Sequence, residues 1–280
     1  MGLSKPKIAA STYLNSLPLC WSFMYGSHRR SCEFIADVAP ARCADMLRQK
    51  QVDAALIPSI EYQRLDDVLI VPGLAVAADG PVRSVILVHQ KPLEEVNSVS
   101  LDLSSRTGAA LTMIYFRHFQ RREVRFEPHP PHLVEMLRKA DAALLIGDPA
   151  LLAYHHSVHL PSPTSPQITD WGELWKQLTG LPFVFAVWAI RRESVDRMAG
   201  IDFSLVKKEA GSSLPHIIDE AVNRLQLPYE LVHDYLTRSL VYDLNHGCLS
   251  GLNHFYTLAW RVNLIDVLNP IRFYEVTVDV

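Results

Sequence analysis

The sequence is poor in several things that would have marked a particular class of protein. It has four cysteines, Cys20, Cys32, Cys43 and Cys248, scattered and never as a CxxC pair. That spacing argues against a zinc site or a disulfide framework and for reduced thiols. There is no basic surplus: Lys+Arg is 27, Asp+Glu is 30, and the net charge is -3. Gripping a nucleic acid usually takes an excess of positive charge, so that class is disfavoured. A small anion needs only a few local donors and stays possible. No apolar run approaches the roughly 18 residues of a membrane span. The run after Lys7 is three residues, broken by Ser11 and Thr12, too short for a signal-peptide core. Pro6 stands where a myristoylation motif wants Ser or Thr. A soluble cytoplasmic protein is expected. The serine-hydrolase GxSxG and the zinc-protease HExxH are also missing.

What is present is an ordinary globular composition, 49% apolar and 20% charged, over 280 residues. At about 150 residues per domain, that allows one large domain or two small ones. An internal echo favours two. Met46–Ile57 reads MLRQKQVDAALI and Met136–Leu145 reads MLRKADAALL. In each, a short amphipathic helix ends in a basic turn and enters an Asp-Ala-Ala-Leu strand buried on both faces. The flanking order repeats too. Strand Lys7–Ser11, a polar loop, helix Leu17–Tyr25 and strand Glu33–Val38 precede the first copy. Strand Val99–Leu103, loop Ser104–Thr107, helix Gly108–Gln120 and strand Val124–Glu127 precede the second. This alternation predicts parallel sheets with helices on both faces, hence two α/β lobes.

Val68–Gln90, with apolar runs Val68–Val71 and Val85–Val88, lies between these units, and Phe183–Ile190 closes the second; these two segments are natural crossings between lobes. Beyond Arg192 the pattern is helical: Glu193–Lys208, Leu214–Leu225, Pro228–Ser239 and Leu249–Asn263. The expected lobes are 1–90 with 191–280, and 91–190, with hinge crossings near 85–92 and 183–191.

Ligands of open α/β sheets bind beyond the carboxyl ends of the strands. Between two lobes, that locus is the cleft. Ser11–Ser16 and Ser104–Thr107 must face it, with Pro58, Ser59, Gly147 and Asp148 at the ends of the third strands. Ser104–Thr107 is a plausible anion cradle at a helix start. Plain N-capping is the competing reading, for this loop and for Asn15 and Asp148.

Five segments then carry a family likeness: TYLNSLPL, DGPVRSVIL, SSRTG, LLIGDPALL and WGELWKQLTGLPFVFAVWA. In this order, from Thr12 to Ala189, they resemble the MqnA family, chorismate dehydratases of the futalosine route to menaquinone. The resemblance implies a two-lobe α/β fold of the type 2 periplasmic-binding-protein kind, with the C-terminal helices returning to the first lobe. It implies a carbon–oxygen lyase that removes water from chorismate to give 3-[(1-carboxyvinyl)oxy]benzoate. No metal or redox cofactor is required by that chemistry. The partner is the small-molecule substrate, in a monomer or homodimer.

Residue roles follow from the matched positions. Asn15 is the catalytic candidate, bonding the leaving hydroxyl or nearby developing charge. Ser84 would face the cleft and orient the substrate. Ser105, Arg106 and Thr107 would anchor a carboxylate, with Ser104 joining them. Asp148 would polarise a bound hydroxyl or cap its helix. The general base is either Asp148 or a carboxylate of the substrate itself. Two departures stand out: Gly108 where the family pattern has Ser, and Leu103 where a small polar residue is more usual. Two other functions share the expected fold. One is a binding protein without chemistry. The other is the sister enzyme of the same pathway, forming 1,4-dihydroxy-6-naphthoate, whose first loop resembles SPCPNDTF and not STYLNSLP.

Other groupings have plainer readings. His155, His156 and His159 form HHxxH without a neighbouring carboxylate, a solvated cluster more than a metal site. Trp171, Trp175, Phe183, Phe185 and Trp188 read as core, with Phe183 or Trp188 able to face a substrate. Arg121, Arg122 and Arg125 read as a solvated basic face.

Overall fold

A computed structural model describes residues 4–158 and 166–275. The first lobe is built on a five-stranded sheet in the order β2-β1-β3-β10-β4. Its strands are β1 (Lys7–Ser11), β2 (Glu33–Asp37), β3 (Ala54–Pro58), β4 (Val68–Ala78) and β10 (Phe183–Arg191). The second sheet has the order β7-β6-β8-β5-β9. It contains β5 (Val85–His89), β6 (Ser98–Asp102), β7 (Arg125–His129), β8 (Ala142–Ile146) and β9 (Gln167–Asp170). The two copies of the echo are α2 (Pro40–Arg48) into β3 and α4 (Leu133–Lys139) into β8. β3 and β8 are the middle strands of their sheets. Ala54 and Ala55 pair with Ile8 and Ala9 of β1, and Ala142 and Ala143 with Val99 and Ser100 of β6. Covered on both faces, such strands cannot alternate with polar residues, which is why the DAAL run recurs.

The crossing strands differ from expectation. β5 pairs antiparallel with β8 and β9, and β10 antiparallel with β3 and β4, so both sheets are mixed. The chain leaves one lobe and enters the other in the opposite sense, which reverses those strands. β5 therefore belongs to the second sheet and β10 to the first. The expected divisions at 90 and 191 had assigned each to the other lobe. The chain crosses between β4 and β5, and again between α6 (Trp171–Thr179) and β10. β9 and α6 had not been anticipated as elements. Asp170 starts α6 by accepting from the Gly172 and Glu173 N–H groups, and it also accepts from Val82 and Arg83 in the first crossing.

The helical remainder is α7 (Val195–Met198), α8 (Phe203–Leu225), α9 (Tyr229–Asp234) and α10 (His246–Arg261). The helix expected over 193–208 breaks after Met198, because Asp202 caps a new start through Ser204 and Leu205 N–H. From there α8 runs through Pro215. One lost backbone bond is outweighed by a continuous buried face of Val206, Ala210, Ile217, Ile218 and Ala221. α8 packs on α1 (Leu17–Met24), and α10 on β10 and α3 (Thr107–Ile114), so the return to the first lobe also touches the second. Trp171, Trp175, Phe183 and Trp188 are fully buried core. His155 and His156 lie on α5 (Gly147–Val158), while His159 is outside the described residues, as is most of 161–166. Among the described residues no helix is long and apolar enough to cross a membrane.

Candidate functional site

A cavity lies between the lobes, where the first loops of both meet. Its two sides differ. Leu56, Val76, Val85, Ile146 and Phe185 make an apolar wall from the strands. Ser11, Tyr13, Asn15, Ser16, Ser104, Ser105, Arg106 and Thr107 make a polar one from the loops. Of the aromatic group, Phe185 reaches the cavity; Phe183 and Trp188 do not.

The polar wall is where α1 and α3 begin. The first N–H groups of a helix have no partner within it and are normally closed by a side chain. Neither Ser16 before α1 nor Arg106 before α3 makes a side-chain cap, and in α1 the Leu17 N–H bonds the Tyr13 carbonyl while Pro18 has none. The capping interpretation of these loops is therefore not met. Two helix starts with aligned dipoles and no side-chain cap converge on one space, an arrangement that favours an anion. No Asp, Glu, His or Lys lines it.

Donor bookkeeping separates committed side chains from free ones. Ser16 Oγ donates to Asn15 Oδ1 at 3.1 Å, and Ser11 Oγ lies 3.2 Å from Ser16 Oγ. The Asn15 carbonyl is thus occupied, and its NH2 has no protein partner among the described residues. Ser105 Oγ is buried and makes no hydrogen bond at all. An orphaned buried hydroxyl is costly, so one beside a cavity points to a missing ligand. Gly108 belongs to the same feature. A Cβ there would stand 2.6 Å from Ser105 Oγ, so the glycine makes room for that hydroxyl.

The other anticipated residues are differently placed. Thr107 lines the cavity, but its Oγ1 accepts from Ile60 N–H at 3.3 Å and lies 3.4 Å from Ser59 Oγ. Ser59 spends its proton on the Val184 carbonyl, so Thr107 donates to Ser59 and has none left for a ligand. Arg106 reaches the cavity edge, but its guanidinium bonds Glu61 at 2.8 Å and Asp45 at 2.7 Å. Its charge ties the second lobe to the first. Ser104 donates to Asp102 Oδ1 at 2.6 Å. Ser84 is fully buried and is not a lining residue; Tyr235 donates to its Oγ at 2.7 Å. Asp148 is not a lining residue either. It accepts from Leu14 N–H at 2.8 Å and from Arg224 at 3.0 Å, both in the first lobe. Burial pushes the Asp148 carboxyl up, against these two partners that pull it down.

Two residues that the sequence places at the cleft without a role contribute here. Tyr13 crosses the cleft to within 3.3 Å of Ser104 Oγ. Gly147 lets it do so: at φ +62° it suits glycine, and a Cβ would stand 2.4 Å from the Tyr13 ring. Gly147 in a GDP turn was a readable signal; the reach of Tyr13 was not. Together with Asp148 and Arg106, these contacts hold the lobes closed.

The matching family model, described as menaquinone biosynthesis, spans residues 6–261. The chain belongs to this menaquinone biosynthesis family. A chorismate dehydratase from Thermus thermophilus is 31% identical over 221 residues, 72% of this chain and 78% of that protein. Among solved structures, a protein from Archaeoglobus fulgidus superposes with a TM-score of 0.68 at 14% identity, covering 93% of this chain and 98% of that one. The periplasmic aliphatic sulphonate-binding protein of Escherichia coli gives 0.61 at 13%, covering 100% and 96%. At such identities the likeness establishes the fold, a two-lobe periplasmic-binding-protein-like one.

Proposed function

We propose that the protein is a chorismate dehydratase, a carbon–oxygen lyase that forms 3-[(1-carboxyvinyl)oxy]benzoate and water in menaquinone biosynthesis. The observation that carries this is a cavity between the lobes whose apolar wall faces two uncapped helix starts, with no Asp, Glu, His or Lys among its described lining residues. Chorismate is a ring with two carboxylates. The helix starts and Ser105 suit the carboxylates, and the apolar wall suits the ring. The Asn15 NH2 is a donor for the leaving C4 hydroxyl or for charge developing beside it. Enclosure holds the reacting bonds away from bulk water.

The missing base is consistent with the same reaction. Asp148 is bound to Leu14 and Arg224, so it is not placed to take a proton from the cavity. A carboxylate of chorismate then takes the C3 proton and hands it to the departing C4 oxygen, which leaves as water. The ring becomes aromatic, which drives the step forward. The test is incubation of the purified protein with chorismate, following loss of substrate and appearance of the aromatic product. Turnover that falls by two or more orders of magnitude in Asn15→Ala, with chorismate still bound, is the expected result. Chorismate bound but recovered unchanged makes the protein a binding protein instead.

A further inference from the structure

We infer that Tyr13 is a specificity residue that recognises the hydroxyl of the substrate, and that Asp102 sets the direction of its hydrogen bond through Ser104. This rests on the proposed reaction and adds a residue to its site.

The inference follows from counting protons along one chain of groups. Asp102 is at the end of β6 and 1% exposed. Its Oδ1 accepts from both the N–H and the O–H of Ser104, at 2.8 and 2.6 Å, and its Oδ2 from Ile146 N–H at 3.3 Å. Both oxygens act as acceptors; burial pushes the Asp102 carboxyl up, against the Ser104 and Ile146 bonds that pull it down. A serine hydroxyl has one proton, and that of Ser104 is already on Asp102. Toward Tyr13, 3.3 Å away, Ser104 Oγ is left only with lone pairs. Tyr13 must therefore donate to Ser104. A phenol also has a single proton, so the Tyr13 oxygen meets the cavity as an acceptor.

An acceptor repels a carboxylate and welcomes a hydroxyl. The rest of the polar wall offers donors: the Asn15 NH2, Ser105 and the helix starts. Tyr13 thus stands apart as a reader of an O–H group. In chorismate that group is the C4 hydroxyl, the one lost in the reaction. Its oxygen accepts from Asn15 while its proton goes to Tyr13. The product has no such hydroxyl and leaves Tyr13 unmatched. The chain therefore favours substrate over product. The fixed position of the Tyr13 ring on Gly147 makes this discrimination geometric as well.

The experiment compares Tyr13→Phe with the wild type, reading KM for chorismate and the inhibition constant of added product. Loss of one hydrogen bond of ordinary strength predicts a KM raised about five- to tenfold. The product constant should change less than twofold. Ser104→Ala should raise KM in the same sense by a smaller factor, because the phenol is then free to turn either way. Should KM and the product constant rise together, Tyr13 only shapes the cavity and the inference falls. An unchanged KM overturns it equally. Wild-type protein that neither converts nor binds chorismate overturns the proposed reaction, and this inference with it. Chorismate bound unchanged shifts the comparison to dissociation constants for chorismate and product, with the same expectations.

Discussion

The Asp148 carboxylate of the second lobe accepts the backbone N–H of Leu14 in the first lobe at 2.8 Å. Leu14 sits between Tyr13 and Asn15, so this bond fixes the loop that carries both. It also closes the lobes. A hydrogen bond to a charged group contributes about 1.5–3 kcal/mol.

Replacing Asp148 separates latch from base. Asn keeps an acceptor for Leu14 and loses only the ion pair with Arg224, which is partly exposed and weak. Asp148→Asn should retain turnover within about fivefold of the wild type on that reasoning. Asp148→Ala removes the acceptor, and KM should rise by about tenfold or more. Small-angle scattering should show a larger fraction of open molecules. An Asn variant as inactive as the Ala variant would return Asp148 to the list of bases.

Ser105 presents an opposition between stability and binding. Its hydroxyl is buried without a protein partner among the described residues. An unsatisfied group of this kind costs about 1–3 kcal/mol. Ser105→Ala should therefore raise the melting temperature of the free protein by a few degrees. It should weaken chorismate and product binding about tenfold, since the ligand loses a donor. Thermal unfolding with and without product checks both signs. A variant less stable when free and unchanged in affinity would show that Ser105 has no ligand to meet.

These two residues also show what could be read in advance. The two-lobe plan was legible because strands covered on both faces need unbroken apolar runs, and DAAL occurs twice. The first-loop positions of Asn15 and Ser105 followed from the rule that ligands sit beyond strand ends. The roles of Arg106, Thr107 and Asp148 were not legible. Their polar atoms are spent on Asp45, Glu61, Ser59, Ile60, Leu14 and Arg224, groups tens of residues away in sequence. Only the closed arrangement reveals which donors are used up. The surroundings of Ser84 were hidden for a related reason, since Tyr235 reaches it from an element more than a hundred residues later.

Gly108 and Ser105 should behave as a coupled pair. A methyl group at 108 meets Ser105 Oγ at 2.6 Å, Val85 at 3.3 Å and Ile146 at 3.4 Å. The first is a clash; the others require small movements. Gly108→Ala should thus displace the Ser105 hydroxyl and lower chorismate affinity about as much as Ser105→Ala does. In the double variant the second change should add little. A coupling energy of about 1 kcal/mol or more is expected from the cycle. Purely additive effects would mean that Gly108 is required for some other reason.

Asp53 lies away from the cavity and predicts a pH dependence of stability. Its side chain is buried at the start of the central strand β3. Burial alone would push its pKa up. Lys7 N–H, Ser194, Arg197 and Arg191 outweigh that, and the net shift is down from 3.8. Oδ2 takes Lys7 N–H at 2.8 Å, while Oδ1 takes Ser194 at 2.7 Å, Arg197 at 2.9 Å and Arg191 at 3.2 Å. For a carboxylate depressed on folding, the unfolded chain takes up the proton first as pH falls. The stabilisation is complete well above 3.8 and is lost as pH drops through that value toward the lower folded one. At neutral pH, Asp53→Asn should cost about 1–3 kcal/mol, having lost its charge-assisted bonds. That deficit should narrow as pH is lowered toward and below 3.8. Urea unfolding of both proteins over a pH series checks this. A deficit constant with pH would show that packing around Asp53, and not its charge, secures β1 and β3 to the chain that follows β10.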